Sequence, residues 1–511
     1  VIILVNPMLS RVAINADSCY NVIRQFITRA HEERPDVLFD VMWPTNGKDW
    51  KYFRDGLFDL PRVRRIPYRF HAGKMKQVVT YDPFQMEQFF DYKVPYDIIW
   101  NHVPELGDLF KHHVPSYNAS GKSVVVNAHH YVVHDSLPYP VEKDQPHIML
   151  HQLTGSFGVD ANVFDSKHCR AMFFDNAQKY VSERVRANLE STSTDIPHGV
   201  LDNDEFDRLD LRTIRHRDAT FTFAYNHRLQ AYKNYHTTFD VFDTLYGEGL
   251  KFRVVVFGMP DAIEHFSSLA KKPYVETFVS ETRDAYLKKL ATCHANMLNS
   301  QHETFCISAV ESMAMGQLLI APNSVTFPEI TGKTSTNPAY PLLFESVAEQ
   351  LAMCRALIGP EHKHGEWGAM LHEHVWETYN THRWVGEYLT LFDRLSNQFD
   401  VLSALKPTSA PIARLIASRD RWDFQDLRKT LYSAKLGVKR MVGDQSFPSN
   451  RIKRLAHQLG FDDMRSARTD ELTLVKRREI DLDEIVRSIV TRTGGGEMNG
   501  DERDDERDDD G

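Results

Sequence analysis

Short apolar, β-branched runs recur along this chain, each followed by a longer stretch with helical spacing, and that alternation limits the fold more than any other feature. VIILV (1–5) precedes NVIRQFITRAHEE (21–33), and VLFDVMWP (37–44), YDIIWN (96–101), SVVVNAHH (123–130) and RAMFFDN (170–176) read as further strands. Strands apolar at consecutive positions are covered on both faces, as in parallel sheets, and strand–helix alternation is the mark of βαβ units. The pattern breaks at STSTDIPHGVLDNDEFDRLDLRTIRHRD (191–218), which is polar, proline-bearing and aperiodic. It then restarts: strand TFTFAYN (220–226), helix TTFDVFDTLYGEG (237–249), strand KFRVVVFG (251–258), helix DAYLKKLATC (284–293), strand HANMLNS (294–300), helix ISAVESMAMG (307–316) and strand LLIAPN (318–323). The economical architecture is α/β, with two doubly wound, Rossmann-like halves. Ligands of such sheets bind beyond the carboxyl ends of the strands, so a cleft between the halves is the expected site.

These boundaries give an N-terminal domain at 1–204 and a second at 205–400. A linker, KPTSAP (406–411), leads to a module at about 410–490. In 401–480, 17 Lys and Arg face 9 Asp and Glu. LYSAKLGVKRM (431–441) and LAHQLGFDDM (455–464) both look like helices closing on Leu-Gly, so this basic module is expected to be helical. The stretch 491–511, ending in DERDDERDDDG, is too polar to fold and reads as a disordered acidic tail. Five cysteines without CxxC or CxxH spacing argue for reduced thiols and a cytoplasmic setting, against a disulfide framework or structural zinc. No apolar run approaches the roughly 20 residues that span a bilayer.

Chemistry concentrates in SQHETFCISAVESMAMG (300–316), where Glu303 and Glu311 stand among apolar and small neighbours. Buried carboxylates need partners. Glu303 falls in a strand-to-helix turn, and Glu311 about two turns into the helix. The first turn of that helix is a seat for phosphate, and a carboxylate further along can accept from a vicinal diol. Alternatively, Glu311 pairs with a nearby cation and Glu303 caps the helix; the spacing by itself decides little. Arg228 and Lys233, in the loop after TFTFAYN, could neutralise a leaving diphosphate or form a solvated pair. Asp202-Asn203-Asp204 satisfies D-x-D, but it lies in the interdomain segment rather than at a strand end, and no metal is assigned to it.

Taken in order, these segments resemble the retaining, nucleotide-sugar-dependent glycosyltransferases of the GT-B fold, family 4 type, over about residues 95–395. IPHGVLDNDEF (196–206) is similar to that family's IPNGVD…F, HRLQAYKN (227–234) to its GRL…KN, and HETFCISAVESMAMGQLLIAPN (302–323) to its E-x-F-G…E-A-M-A-x-G-x-P-V-I-A; FPEITG (327–332) follows in place. The resemblance implies that Arg228 and Lys233 bind the donor diphosphate and Glu311 the ribose. Glu303 would face the transferred sugar, with Thr304, Phe305 and Cys306 beside it. IIWNHVPE (98–105) resembles the family's H-x-H-x-P strand end and puts His102 near the reaction centre; His129 is a second candidate, and either could equally be a structural histidine. The donor would be a UDP- or GDP-hexose, with no cofactor and no metal. Two departures stand out. VNPMLSRVAINADS (5–18) lacks the family's glycine-rich turn, and Cys306 stands where a glycine is common.

The acceptor is open. RVRRIPYRFHAGKMK (62–76) is rich in cations and carries aromatics, which suits nucleic acid, an anionic lipid surface or merely a solvated face. With SNRIKRLAHQLGF (449–461), a short basic helix, it favours a modified base in DNA as acceptor, as in a phage DNA-modifying enzyme; a glycan or lipid acceptor is the alternative. A reading of another class is a non-catalytic protein that binds sugar nucleotides or nucleic acid.

Overall fold

The computed structural model describes residues 1–8, 18–44, 56–68, 94–113, 124–133, 146–211, 220–258, 267–280, 282–332, 340–359, 364–403, 421–423, 461–466 and 472–476. The chain divides into two compact units, Val1–Leu395 and Ser396–Gly511.

The first unit holds two parallel sheets. Strands β1 (Ile2–Asn6), β2 (Leu38–Pro44), β3 (Val63–Tyr68), β4 (Ile98–Asn101), β5 (Val125–His129), β6 (Ala161–Phe164) and β7 (Ser193–Asp195) line up in the order β3-β2-β1-β4-β5-β6-β7. Strands β8 (Thr222–Tyr225), β9 (Arg253–Gly258), β10 (Val275–Val279), β11 (Ala295–Met297), β12 (Leu318–Pro322) and β13 (Leu343–Phe344) repeat that winding as β10-β9-β8-β11-β12-β13. Winding reverses between β1 and β4 in one sheet and between β8 and β11 in the other, and each reversal opens a crevice at the strands' carboxyl ends. The apolar-continuous strands explain themselves: β1, β4, β5 and β8 bury nearly every residue.

Helices cover both faces by their spacing. In Ser18–Glu33 the buried Ile23, Phe26, Ile27 and Ala30 form one stripe. Phe26 reaches Trp100 on β4 (ring centroids 4.3 Å) and also Trp384 (5.0 Å) and Tyr388 (5.6 Å) of the helix Thr381–Ser403. That helix follows the second sheet in the sequence yet packs on the first, so it cuts across the division expected at 204/205. A glycine permits the crossing. A Cβ on Gly199 would lie 2.4 Å from Trp384 Cβ and 2.7 Å from the Asn380 carbonyl oxygen.

A row of asparagines crosses the central strands, at the last residue of β1 and β4 and inside β5 and β6. Asn6, Asn101, Asn127 and Asn162 sit opposite one another in register on β1, β4, β5 and β6, all fully buried. Each amide donates to the next: Asn6 to Asn101 (2.7 Å), Asn101 to Asn127 (2.8 Å) and Asn127 to Asn162 (3.3 Å). Asn162 closes the row on the Ser156 carbonyl (3.0 Å).

Three expectations change. RAMFFDN lies within the helix Lys167–Tyr180, capped by Ser166 Oγ accepting from the Cys169 amide (2.9 Å), and the strand is the preceding Ala161–Phe164. Cys169, Phe173 and Ala177, buried at four-residue intervals, give the helical period that a short apolar run conceals. The polar break contains β7, the sheet's last strand, and the helix Asn203–Arg208. Within 410–490, the described residues form an antiparallel sheet, β14 (Arg421–Asp423), β16 (Leu472–Lys476) and β15 (Phe461–Ser466), rather than helices. Residues 431–441, 449–460 and the acidic tail lie outside the described residues.

Candidate active site

Both crevices carry polar side chains. After β8 the chain turns through His227 and Arg228 into a single helical turn, Ala231–Lys233. Asn234, in the left-handed region at φ 49°, then redirects it into the helix Tyr235–Gly247. This bend points Lys233 inward, and its ammonium donates to Glu303 Oε1 in the loop after β11. Both residues are over nine-tenths buried. Burial pulls the Lys233 pKa down, but the Glu303 charge more than offsets this and leaves it above its ordinary value. His227 Nε2 lies 3.6 Å from the same carboxylate oxygen and 3.2 Å from Cys306 Sγ. Its burial, together with Lys233 and Arg228, keeps the ring neutral. Arg228 is exposed and lies near enough to contribute to that effect without joining the buried pair.

Cys306 stands immediately before the helix Ile307–Ala314 with φ at 120°, a conformation suited to glycine. Glu311, one further turn and more along that helix, is held on both oxygens. Arg283 Nη1 donates to Oε1 (2.6 Å) and the Tyr286 hydroxyl to Oε2 (2.9 Å). Arg283 in turn bridges to Glu205 (2.9 and 3.0 Å), tying the interdomain segment to the second sheet. Each Glu311 oxygen keeps acceptor capacity after these bonds.

The two crevices meet at Thr304. Its hydroxyl donates to the His130 carbonyl (2.8 Å), and its own carbonyl accepts from Ser166 Oγ, so the loop after β11 docks on the ends of β5 and β6. Glu329, in FPEITG, accepts from the backbone amides of Lys167 (2.9 Å) and His168 (3.1 Å), the open N-terminus of the helix Lys167–Tyr180. Behind Thr304 runs a file of histidines: His102 Nδ1 meets His130 Nε2, and His130 Nδ1 meets His198 Nε2 at 3.0 Å. His198 stands edge-on to Phe305 (5.4 Å) and 3.8 Å from Asp165. Burial keeps all three rings neutral, with His130 lowered to about 4, and pushes the Asp165 carboxyl up to about 8.

Thus Lys233, Glu303, Thr304, Phe305 and Cys306 come together, and His102 reaches them through His130 and His198. His129 does not. Its ring stacks on Phe164 (4.3 Å), and Nε2 contacts Asn162 (3.2 Å) within the first sheet's own packing. β5 ends at His129, and His130, just beyond the strand, turns instead to His102 and His198. Asp202 caps the helix Asn203–Arg208 through the Asp204 and Glu205 amides, and Arg29 holds Asp202 and Asp204. Of the basic stretch 62–76, Arg64 is committed to the buried Asp40 through two 2.6 Å bonds, and Arg65 lies 4.1 Å from the Phe58 ring centre. Residues 69–76 lie outside the described residues. His130, His198, His227, Asp165, Arg283 and Tyr286 complete the site without having been foreseen. His198 and His227 did lie inside recognised segments, IPHGV and HRL.

Residues 208–339 match the family described as Glycosyl transferases group 1. No curated protein is matched by the sequence. Sucrose-phosphate synthase (tll1590) from Thermosynechococcus elongatus superposes with a TM-score of 0.58 at 14% identity, over 77% of this chain and 98% of its own. Anabaena Alr3699/HepE in complex with UDP and glucose gives 0.53 at 11% identity (77% and 99%). A TarM variant from S. aureus in complex with Fondaparinux, alpha-GlcNAc-glycerol and UDP gives 0.53 at 10% (77% and 99%). The fold is GT-B. In GT-B terms, the group 1 match covers β8 to β12 and every residue of the Lys233–Glu303–Glu311 constellation. Among the described residues, no helix is long and apolar enough to cross a membrane.

Proposed function

We propose that this protein is a retaining glycosyltransferase that takes a hexose from a nucleoside-diphosphate sugar. The observation that carries the reading is the buried Lys233–Glu303 pair at the second sheet's winding reversal, against the strip Thr304–Cys306. A buried ion pair is costly in an empty site and gains its use when a charged substrate shares it. Lys233, with Arg228 at the rim, would hold the diphosphate. Glu303 would accept from the sugar hydroxyls, and Glu311 would use its remaining acceptor sites on the ribose. As the C–O bond to phosphate breaks, charge accumulates on the diphosphate, and Lys233 and Arg228 stabilise it there. The acceptor hydroxyl attacks the face that the phosphate leaves, and a phosphate oxygen takes its proton. UDP is favoured over GDP because two of the neighbouring structures are complexes with UDP.

The test is mass spectrometry of products after incubation with UDP- and GDP-hexoses and a panel of glycan, lipid and hydroxymethylated-DNA acceptors. Wild type should transfer one hexose with the donor's anomeric configuration, read by NMR. Lys233→Met and Glu303→Gln should each lose roughly 100-fold or more in turnover. Folded variants with wild-type turnover would refute the assignment. With Arg64 and Arg65 engaged within the fold, a DNA acceptor rests on segments outside the described residues, and the DNA arm decides it.

A further inference from the structure

We propose that His227, Glu303 and Cys306 form a binding site for a divalent transition metal of the zinc type. The three side chains come from two loops, the one after β8 and the one after β11, and all are buried. His227 Nε2, Glu303 Oε1 and Cys306 Sγ lie within 4.8 Å of one another. Two of the separations, 3.2 Å from His227 to Cys306 and 3.6 Å from His227 to Glu303, approach the edges of a zinc tetrahedron. With Zn–N near 2.0–2.1 Å and Zn–S near 2.3 Å, those edges are about 3.3–3.6 Å. Nitrogen, sulfur and carboxylate oxygen are the donors zinc selects, and three of them leave the fourth position open.

The backbone supplies an independent indication. Cys306 keeps φ at 120°, a strained conformation for a non-glycine residue, and such outliers persist where the side chain is used. Its thiol points at His227 rather than into an apolar pocket. The donor charges match the ion. Neutral imidazole, thiolate and carboxylate total minus two against the divalent ion, and the Lys233 ammonium then stands as the one uncompensated charge beside them. Binding forms Zn–N, Zn–S and Zn–O bonds and breaks the Cys306 S–H bond, releasing one proton to solvent. Lys233 keeps its proton and yields Glu303 to the metal; the Tyr232 ring, 4.7 Å from its ammonium, is a ready alternative contact. Should the donor reading hold, metal and nucleotide sugar compete for Glu303.

The experiment uses the full chain, reduced and stripped of metal, titrated with Co²⁺. Wild type should bind one equivalent, with a near-ultraviolet thiolate-to-cobalt band and the intense visible bands of tetrahedral cobalt. Zn²⁺ should displace the cobalt, and one proton per metal should appear in a pH-indicator assay. Cys306→Gly, which suits the backbone, and His227→Gln, each checked for folding by circular dichroism, should lose the thiolate band and at least about 100-fold in affinity. A wild-type protein without that band, or a band that survives in Cys306→Gly, would overturn the proposal. Neither readout requires a sugar donor, so this result and the transferase test fail independently.

Discussion

Replacing Lys233 by Met removes the cation from a carboxylate that is 8% exposed. Breaking one side of a buried pair typically costs 3–5 kcal/mol. Glu303 has an escape, because it can take up a proton once Lys233 is gone. Holding a carboxyl of ordinary pKa about 4.3 protonated at pH 7 costs about 3.7 kcal/mol, which sets a ceiling. The ceiling falls by about 1.4 kcal/mol for each pH unit towards 4, reaching about 1 kcal/mol at pH 5. The sign follows from burial, which disfavours a lone carboxylate in the folded variant but not in the unfolded chain, so stability falls as pH rises. Calorimetry should therefore show the variant's transition up to roughly 4–5 °C below wild type at pH 7, taking about 2.1 cal/mol/K of unfolding entropy per residue over the unit Val1–Leu395. At pH 5 the gap should nearly close. The double variant Lys233→Met, Glu303→Gln should recover most of the loss at pH 7. A deficit that does not change with pH, or is not relieved by Glu303→Gln, would refute the buried-pair argument.

Other substitutions test other parts of the structure. Asp165, pushed up to about 8 by burial, stays protonated in the fold while ionising when unfolded. Between pH 6.5 and 8, where the buried histidines are neutral folded and unfolded alike, wild type should accordingly lose stability as pH rises, and Asp165→Asn should flatten that slope in denaturant titrations. His130, His102 and His198 act in the opposite sense, lying below their ordinary values, so stability should also fall from pH 6.5 towards 4, and His198→Phe should soften that acid limb. Gly199→Ala places a methyl against Trp384 and the Asn380 carbonyl, and should cost about 3 kcal/mol or more, seen as a lowered melting temperature. Arg283→Met leaves both Glu205 and Glu311 without their guanidinium, and should weaken UDP binding in calorimetry as well as destabilise the protein, whereas Arg283→Lys should rescue only part because one ammonium cannot span both acids.

The sheet strands legible in the sequence were those apolar at consecutive positions, since burial on both faces leaves no other pattern. The helix Lys167–Tyr180 was misread because RAMFFDN is too short to show its period, while Ser166, its cap, lies outside the run. Strands β6 and β7 are short, and β7 is polar, so neither carries a strong strand signal. Glu303 and Lys233 could be singled out as carboxylate and cation in a telling order. The Arg283 and Tyr286 that hold Glu311 could not, because the helix Arg283–Leu290 contacts that residue only through the sheet's winding. Choosing between His129 and His130 required the strand's end point, and an offset of one residue reverses the answer.

The amide row Asn6–Asn101–Asn127–Asn162 has a consequence for assembly of the first sheet. Main-chain pairing between parallel strands is indifferent to a slide of two residues, since every such slide restores the same hydrogen-bond pattern and the same facing. Side-chain amides distinguish these alignments, because only one places four asparagines level; any other strands a buried donor or acceptor at about 1–3 kcal/mol for each broken link. The row therefore works as a ruler that counts residues along four strands. It sits beside the histidine file, so an error in alignment would displace the very strand ends from which His102 and His130 emerge.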